Sequence, residues 1–261
     1  MPSAAGPLTA RSVARVTTAA TAPKVQGPIA LAAVLTAVAG FVDAHIFVHV
    51  TEVFVANQSG NVVLFGIFLG ERRWPEVAAH LLSITMFALG VALGTTLHDR
   101  RRAAGLPLRP DLVLIGEAVL LAVLIVLRVI DGTHPVLSID ALDYPVILLG
   151  ALAMGIQTVV IGKVGSVAVA TTYESGAVAR MGEEAALAGR STTPTQRRSH
   201  LHTMAVVGTV VASYALGATF AAAADRSTAW LLLPLATVLA CAAAAHRLLV
   251  APAAAGDAPP G

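Results

Sequence analysis

The sequence predicts an all-α, polytopic membrane protein: six transmembrane helices plus two re-entrant or broken helices, arranged as an inverted internal repeat. Three observations predict it. The first is composition, with 56% hydrophobic and 12% charged residues and a mean hydropathy of +0.78, where a soluble domain carries about 25% charged residues. The second is a set of apolar segments near 29–50, 77–97, 112–130, 145–165, 203–224 and 229–249, each close to the ~20 residues a helix needs to cross a bilayer. The third is a polar knot that occurs twice. Val55-Ala56-Asn57-Gln58-Ser59-Gly60-Asn61-Val62 interrupts the first half, and Val169-Ala170-Thr171-Thr172-Tyr173-Glu174-Ser175-Gly176-Ala177-Val178 interrupts the second. Polar, glycine-punctuated backbone at membrane depth is tolerated only where protein buries it or water reaches it. Such interruptions in corresponding places of two halves point to a transporter-type binding site.

Residues 1–28 carry Arg11, Arg15 and Lys24 and no acid, and read as a disordered cytosolic tail without processing. A single transmembrane domain follows over 29–250, with one repeat over about 29–130 and the other over about 145–249. The first span places Asp43 three residues after Gly40, about two-thirds along its length. An acid inside a span is costly, so it faces the bundle interior or water. Two roles fit it: a proton, cation or solute anchor, and a structural carboxylate bonded to the knot. His45, His49 and Glu52 share a helical face, where the end of a span normally meets headgroups, so a metal site is not expected. The segment 53–70 holds the first knot. Ser59-Gly60 is expected as its turn, and 61–69 as a returning half-helix of about 14 Å.

The segment 77–97 carries Ala88-Leu89-Gly90, which matches Ala215-Leu216-Gly217 in the other half. The segment 112–130 contains Glu117 and Arg128, separated by about 16 Å along the helix and so not paired with each other. Arg128 is expected to snorkel near the outer end beside Asp131, and Glu117 to lie near the cytosolic interface. The segment 145–165 carries Gly155-Ile156-Gln157, the counterpart of the region around Gly40. The segment 167–188 holds the second knot with Glu174, Arg180, Glu183 and Glu184, too polar for an ordinary span. Its turn is expected at Ser175-Gly176. A polar insert over 190–198 separates it from the last two spans. Residues 251–261 read as a disordered tail.

Charge asymmetry selects the topology. If all eight segments crossed, the halves would be parallel repeats, with nine Lys and Arg inside and six outside. If the two knot segments dip and return, thirteen fall inside and three outside, which suits the positive-inside rule better. Three crossings per half then make the second half enter from the opposite side, with both termini in the cytosol.

Gly40-Phe41-Val42-Asp43-Ala44, then Phe54-Val55-Ala56-Asn57-Gln58-Ser59-Gly60-Asn61-Val62-Val63, then Ala153-Met154-Gly155-Ile156-Gln157 resemble the signature stretches of the bacterial YoaK family. The resemblance covers most of residues 29–249. It departs in the second half, where Thr158 and Ser175-Gly176 stand in place of an Asn and a Thr-Gly pair. It implies a polytopic helical fold in the bacterial inner membrane and no established substrate or catalytic residue.

Function therefore rests on the residues. The net charge of +2 reflects loop arginines beside spans, so no nucleic-acid partner is expected. Cys241 is the only cysteine, which excludes an intrachain disulfide and a Cys-based metal centre. There is no P-loop, Gly-x-Ser-x-Gly, His-Glu-x-x-His or dinucleotide fingerprint, so neither an enzyme nor a cofactor is expected. The lipid bilayer is the expected partner, and nothing in the sequence supports oligomerisation. The expectation is a transporter or channel-like protein for a small polar or ionic solute, with a non-transporting scaffold as the alternative. Its site is expected where the knots converge at the midplane. Asp43, Asn57, Ser59, Gly60 and Asn61 would line it from one half, and Gln157, Thr171, Glu174, Ser175 and Gly176 from the other.

Overall fold

The computed structural model describes residues 27–131, 139–164, 166–169, 172 and 174–250. The expectations for both terminal tails largely fall outside these residues. The helices are α1 (Ile29–His49), α2 (Gln58–Glu71), α3 (Trp74–Ala103), α4 (Pro110–Asp131), α5 (Asp143–Gln157), α6 (Glu174–Arg190), α7 (Pro194–Ala223) and α8 (Leu232–Ala245). A two-stranded antiparallel pair, β1 (Lys163–Val164) and β2 (Val167–Ala168), precedes α6. A 3-10 turn (Thr228–Leu231) leads into α8 and a π turn (His246–Val250) follows it. Among the described residues, five helical stretches are long and apolar enough to cross a membrane: 29–49, 74–103, 110–130, 194–223 and 228–250.

The sequence expectation of a span over 145–165 differs from what forms. α5 stops at Gln157 after 15 residues, roughly 22 Å of helix. A β-branched run, Val159-Val160-Ile161, follows, and Gly162 comes next. Branched side chains crowd the preceding helical turn and suit extended chain, so the backbone leaves the helix and enters β1.

Local chemistry sets the other boundaries. The Asn57 side chain accepts the Gly60 N–H at 3.2 Å and caps α2. Thr193 caps α7 through the Gln196 N–H at 3.3 Å, with Pro194 at the first helical position, where its missing N–H costs nothing. α3 ends on Gly105 at φ +67°. The Gly105 and Leu106 amides return to the carbonyls of Arg102 and Arg101, the paired closure that favours glycine after a helix. Arg100, Arg101 and Arg102 fill that last turn, where positive charge suits the helix C-terminus.

Contacts between elements fix their directions. The Gly27 amide donates to Lys163 O at 2.9 Å, and Gln157 Nε2 donates to Leu35 O. Gly150 faces Ile46 and Val55. Position along α5 therefore rises as position along α1 falls, so the two are antiparallel. Tyr144 Oη donates to Pro75 O at 3.2 Å, aligning the starts of α5 and α3. His49 Nε2 lies 3.1 Å from Ala221 O, aligning the ends of α1 and α7. His246 Nδ1 lies 2.9 Å from Asp111 Oδ2, so the end of α8 meets the start of α4. Arg128 and Asp225 both act electrostatically on His45, which places the ends of α4 and α7 beside the end of α1. Thus α1, α4 and α7 run one way, and α3, α5 and α8 run the other.

The most extensive packing is α1 on α7 and α3 on α5. Both crossings are made by paired glycines. A Cβ on Gly40 would strike Tyr214 O, and one on Gly217 would strike Ala37 O. On the other side, a Cβ on Gly155 would strike Phe87 O, and one on Gly90 would strike Leu152 O. Lipid supplies no hydrophobic drive for helices to associate, so close backbone approach through small residues is the main source of packing energy. Large apolar side chains such as Leu89, Leu93, Val119, Val126, Leu216 and Phe220 are exposed on α3, α4 and α7, as lipid-facing surfaces require.

Candidate functional site

The segment between α1 and α2 doubles back. Asp43 lies six residues before the end of α1, about 9 Å of helix. Its carboxylate nevertheless receives the amides that precede α2. Val55 N and Ala56 N donate to Oδ1, each at 2.6 Å, and Asn57 N donates to Oδ2 at 3.1 Å. Tyr214 Oη of α7 donates a short hydrogen bond to Oδ2. The chain therefore descends from the end of α1 to the level of Asp43. α2 then carries it back to Arg72, antiparallel to α3. An ionised carboxylate is an acceptor-only group, and four donors fill both oxygens of this buried one.

A second layer locks the start of α2 to α3. Asn61 Oδ1 accepts from Phe54 N at 3.0 Å and faces His80 Nδ1 at 3.0 Å. Asn61 Nδ2 donates to Phe54 O, Gln58 Oε1 and Ser83 Oγ. Ser83 Oγ also donates to Phe54 O at 2.6 Å. Ser59 Oγ donates to Asn57 Oδ1 at 2.8 Å. The expected turn at Ser59-Gly60 moves: both residues lie in the first turn of α2, and the bend falls at Val55–Asn57. The Asn57 cap starts the helix earlier than the glycine suggested. Gly60 is needed for contact rather than for a turn, because a Cβ there would press on the Phe54 ring at 2.8 Å.

The segment between α5 and α6 is held by other groups. Thr158 Oγ1 bonds to Met154 O at 2.9 Å and lies 2.7 Å from Thr172 Oγ1. Arg180 Nη1 donates to Ala168 O at 2.8 Å, and Val169 N to Gly162 O at 3.1 Å. From β1, beside the start of α1, the chain thus returns to the end of α5 before α6 begins. Ser175 and Gly176 lie in the first turn of α6, not in a turn before it. Thr171 and the Glu174 side chain lie outside the described residues.

The structure gathers Asp43, Asn57, Ser59, Gly60 and Asn61 into one cluster. It sets Gln157 apart, at the α1–α5 contact, fully buried with Oε1 unpartnered. Among the described residues, no hydrogen bond joins the two knots. Tyr214, Ser83 and His80 were not anticipated in the cluster. Tyr214 stands three residues before Gly217, where Phe87 stands before Gly90, and that pairing was the available signal. Arg128 is buried rather than snorkelling. No group of three or more His, Cys, Asp or Glu among the described residues is placed to hold a metal ion. A groove between α1, α7 and α8 is lined mainly by apolar residues, including Val34, Phe41, Leu216 and Phe220. None of the knot residues lines it.

A family model described as a protein of unknown function (DUF1275) matches residues 31–245. The chain is also similar to the UPF0700 transmembrane protein YoaK of Bacillus subtilis (strain 168). The two are 27% identical over 195 residues, which cover 75% of this chain and 83% of that one. No solved structure matches.

Proposed function

The chain belongs to the DUF1275 family of membrane proteins, and from that premise we propose that it is a transporter or channel-like protein for a small polar or ionic solute. One observation carries this reading. α1 and α5 run in opposite directions, and each is followed by chain that doubles back and re-emerges as a further helix, α2 after α1 and α6 after α5. That arrangement supports an inverted repeat of six crossings with two re-entrant segments, one entering from each side. In transporters of this plan, solute sites lie between the halves, near the midplane. The pathway passes between the two knots, beside Gln157, with both termini in the cytosol of a bacterial cell. Asp43 serves as the anchor that holds the first knot at depth, and the solute meets the polar groups around it.

A liposome flux screen with purified protein tests this reading across small anions, cations and neutral polar solutes. Uptake above that of empty liposomes for at least one solute class is expected, with loss of that uptake in Gln157→Leu. Flux equal to empty liposomes across the panel moves the assignment to a non-transporting scaffold. The filled oxygens of Asp43 favour that second reading, because a fully bonded carboxylate has no free lone pair for a solute.

A further inference from the structure

Glu117 of α4 is fully buried, and neither carboxylate oxygen has a hydrogen-bond partner among the described residues. It lies in the α4 span, six residues or about 9 Å past Asp111. Its helix neighbours Leu114, Ala118 and Leu121 are buried and apolar. From α8, Cys241 is near enough to feel its charge. α5 contributes titratable groups only in its first turn, Asp143 and Tyr144, at the other end of α4. The 3-10 turn before α8 contributes none. The π turn after α8 contributes His246, which is occupied with Asp111, and Arg247. On α4 itself the other charged groups are Asp111, held by Arg109 at 2.8 Å, Arg128, three turns away, and Asp131 at the helix end beyond it.

We infer that Glu117 is a proton-binding site inside the membrane domain. An acid in a span is expensive and is normally paired or functional, and this one is unpaired. A metal cation does not fit, because Ca²⁺ needs six to eight oxygen ligands and Mg²⁺ an octahedral shell. Among the described residues, no group of three or more His, Cys, Asp or Glu is placed around it to hold one. A proton needs a single oxygen. It arrives from water, forms one O–H bond on the carboxyl and leaves by the reverse step, with no other reactant. The site lies between α4 and α8, so taking up or losing a proton changes the charge at the contact between the two halves. The inference stands whether or not a solute is carried.

Infrared difference spectra of the full-length protein in lipid bilayers, acidic minus alkaline, test it. The wild type is expected to show one high-frequency carbonyl band of an unbonded carboxylic acid. That band is lost as pH rises, with a matching gain of carboxylate bands. E117Q is expected to lack the band, while E117D keeps a titrating band at a shifted frequency, which separates loss of the proton site from loss of the fold. Superposable wild-type and E117Q spectra would overturn the assignment. So would a Glu117 band, absent from E117Q, that stays unchanged at every pH in the absolute spectra, since that marks a permanently neutral acid.

Discussion

Asp43 and Asn61 each satisfy several backbone groups, whereas Asn57 contributes a helix cap. Replacing Asp43 with Asn puts an N–H₂ where an oxygen accepted two donors, leaving at least one buried donor without a partner. The expected loss is about 1–3 kcal/mol, read as a lower thermal midpoint in detergent. Asn61→Ala removes the acceptor of Phe54 N and should cost a similar amount, about 1–3 kcal/mol. Asn57→Ala should cost less, about 1 kcal/mol, because its backbone N–H to Asp43 survives and it loses only the cap and the bond from the exposed Ser59 hydroxyl. An Asp43→Asn protein as stable as wild type would show that the knot amides do not depend on the carboxylate. At this scale the sequence was legible where polarity was expensive: Asp43, Asn57 and Asn61 stand out because a bilayer rejects them. Tyr214, Ser83 and His80 did not stand out. Each is tolerable alone in a span, and only tertiary contact gives it a role.

The glycines of the α1–α7 and α3–α5 crossings are distinguishable from those on free surface. Gly40→Leu and Gly155→Leu place a side chain against a backbone carbonyl of the partner helix, which cannot move without separating the helices. Both variants should fail to give a monodisperse folded peak in size-exclusion chromatography. Gly66→Ala and Gly116→Ala meet nothing within 4 Å. They should be neutral or stabilising by roughly 0.5–1 kcal/mol, the usual gain for Ala over Gly inside a helix. Equal behaviour of the two sets would show that the crossings do not depend on close approach. The matched triplets Ala88-Leu89-Gly90 and Ala215-Leu216-Gly217 singled out two glycines that each meet the backbone of a partner helix. Helix ends were less legible. The apolar run over 145–165 looks continuous because hydropathy does not register where β-branched residues leave the helix. The turns expected at Ser59-Gly60 and Ser175-Gly176 are helical instead: both pairs lie in the first turns of α2 and α6, and Gly60 is a close contact there rather than a turn.

Charge alone separated the two whole-molecule arrangements, because moving two segments from crossing to re-entrant flips every loop between them. That flip makes the strongest test of the molecule as a unit. Glu71 ends α2 and Leu106 follows α3, and both are exposed. In a six-crossing arrangement, α3 lies between them and they face opposite sides of the membrane, with Glu71 outside and Leu106 in the cytosol beside Arg100, Arg101, Arg102 and Arg109. In an eight-crossing arrangement their sides are exchanged. The native Cys241 is buried, so it adds little background to thiol labelling. Glu71→Cys in intact cells is expected to react with a membrane-impermeant maleimide, and Leu106→Cys to react only after the cells are opened. The reverse pattern would require α2 to cross fully. That in turn would demand that the Val55, Ala56 and Asn57 amides leave Asp43, since a chain held at that carboxylate and returning along α3 comes back to the side it left. The labelling result and the stability of Asp43→Asn therefore report on one geometry, and the two should stand or fall together.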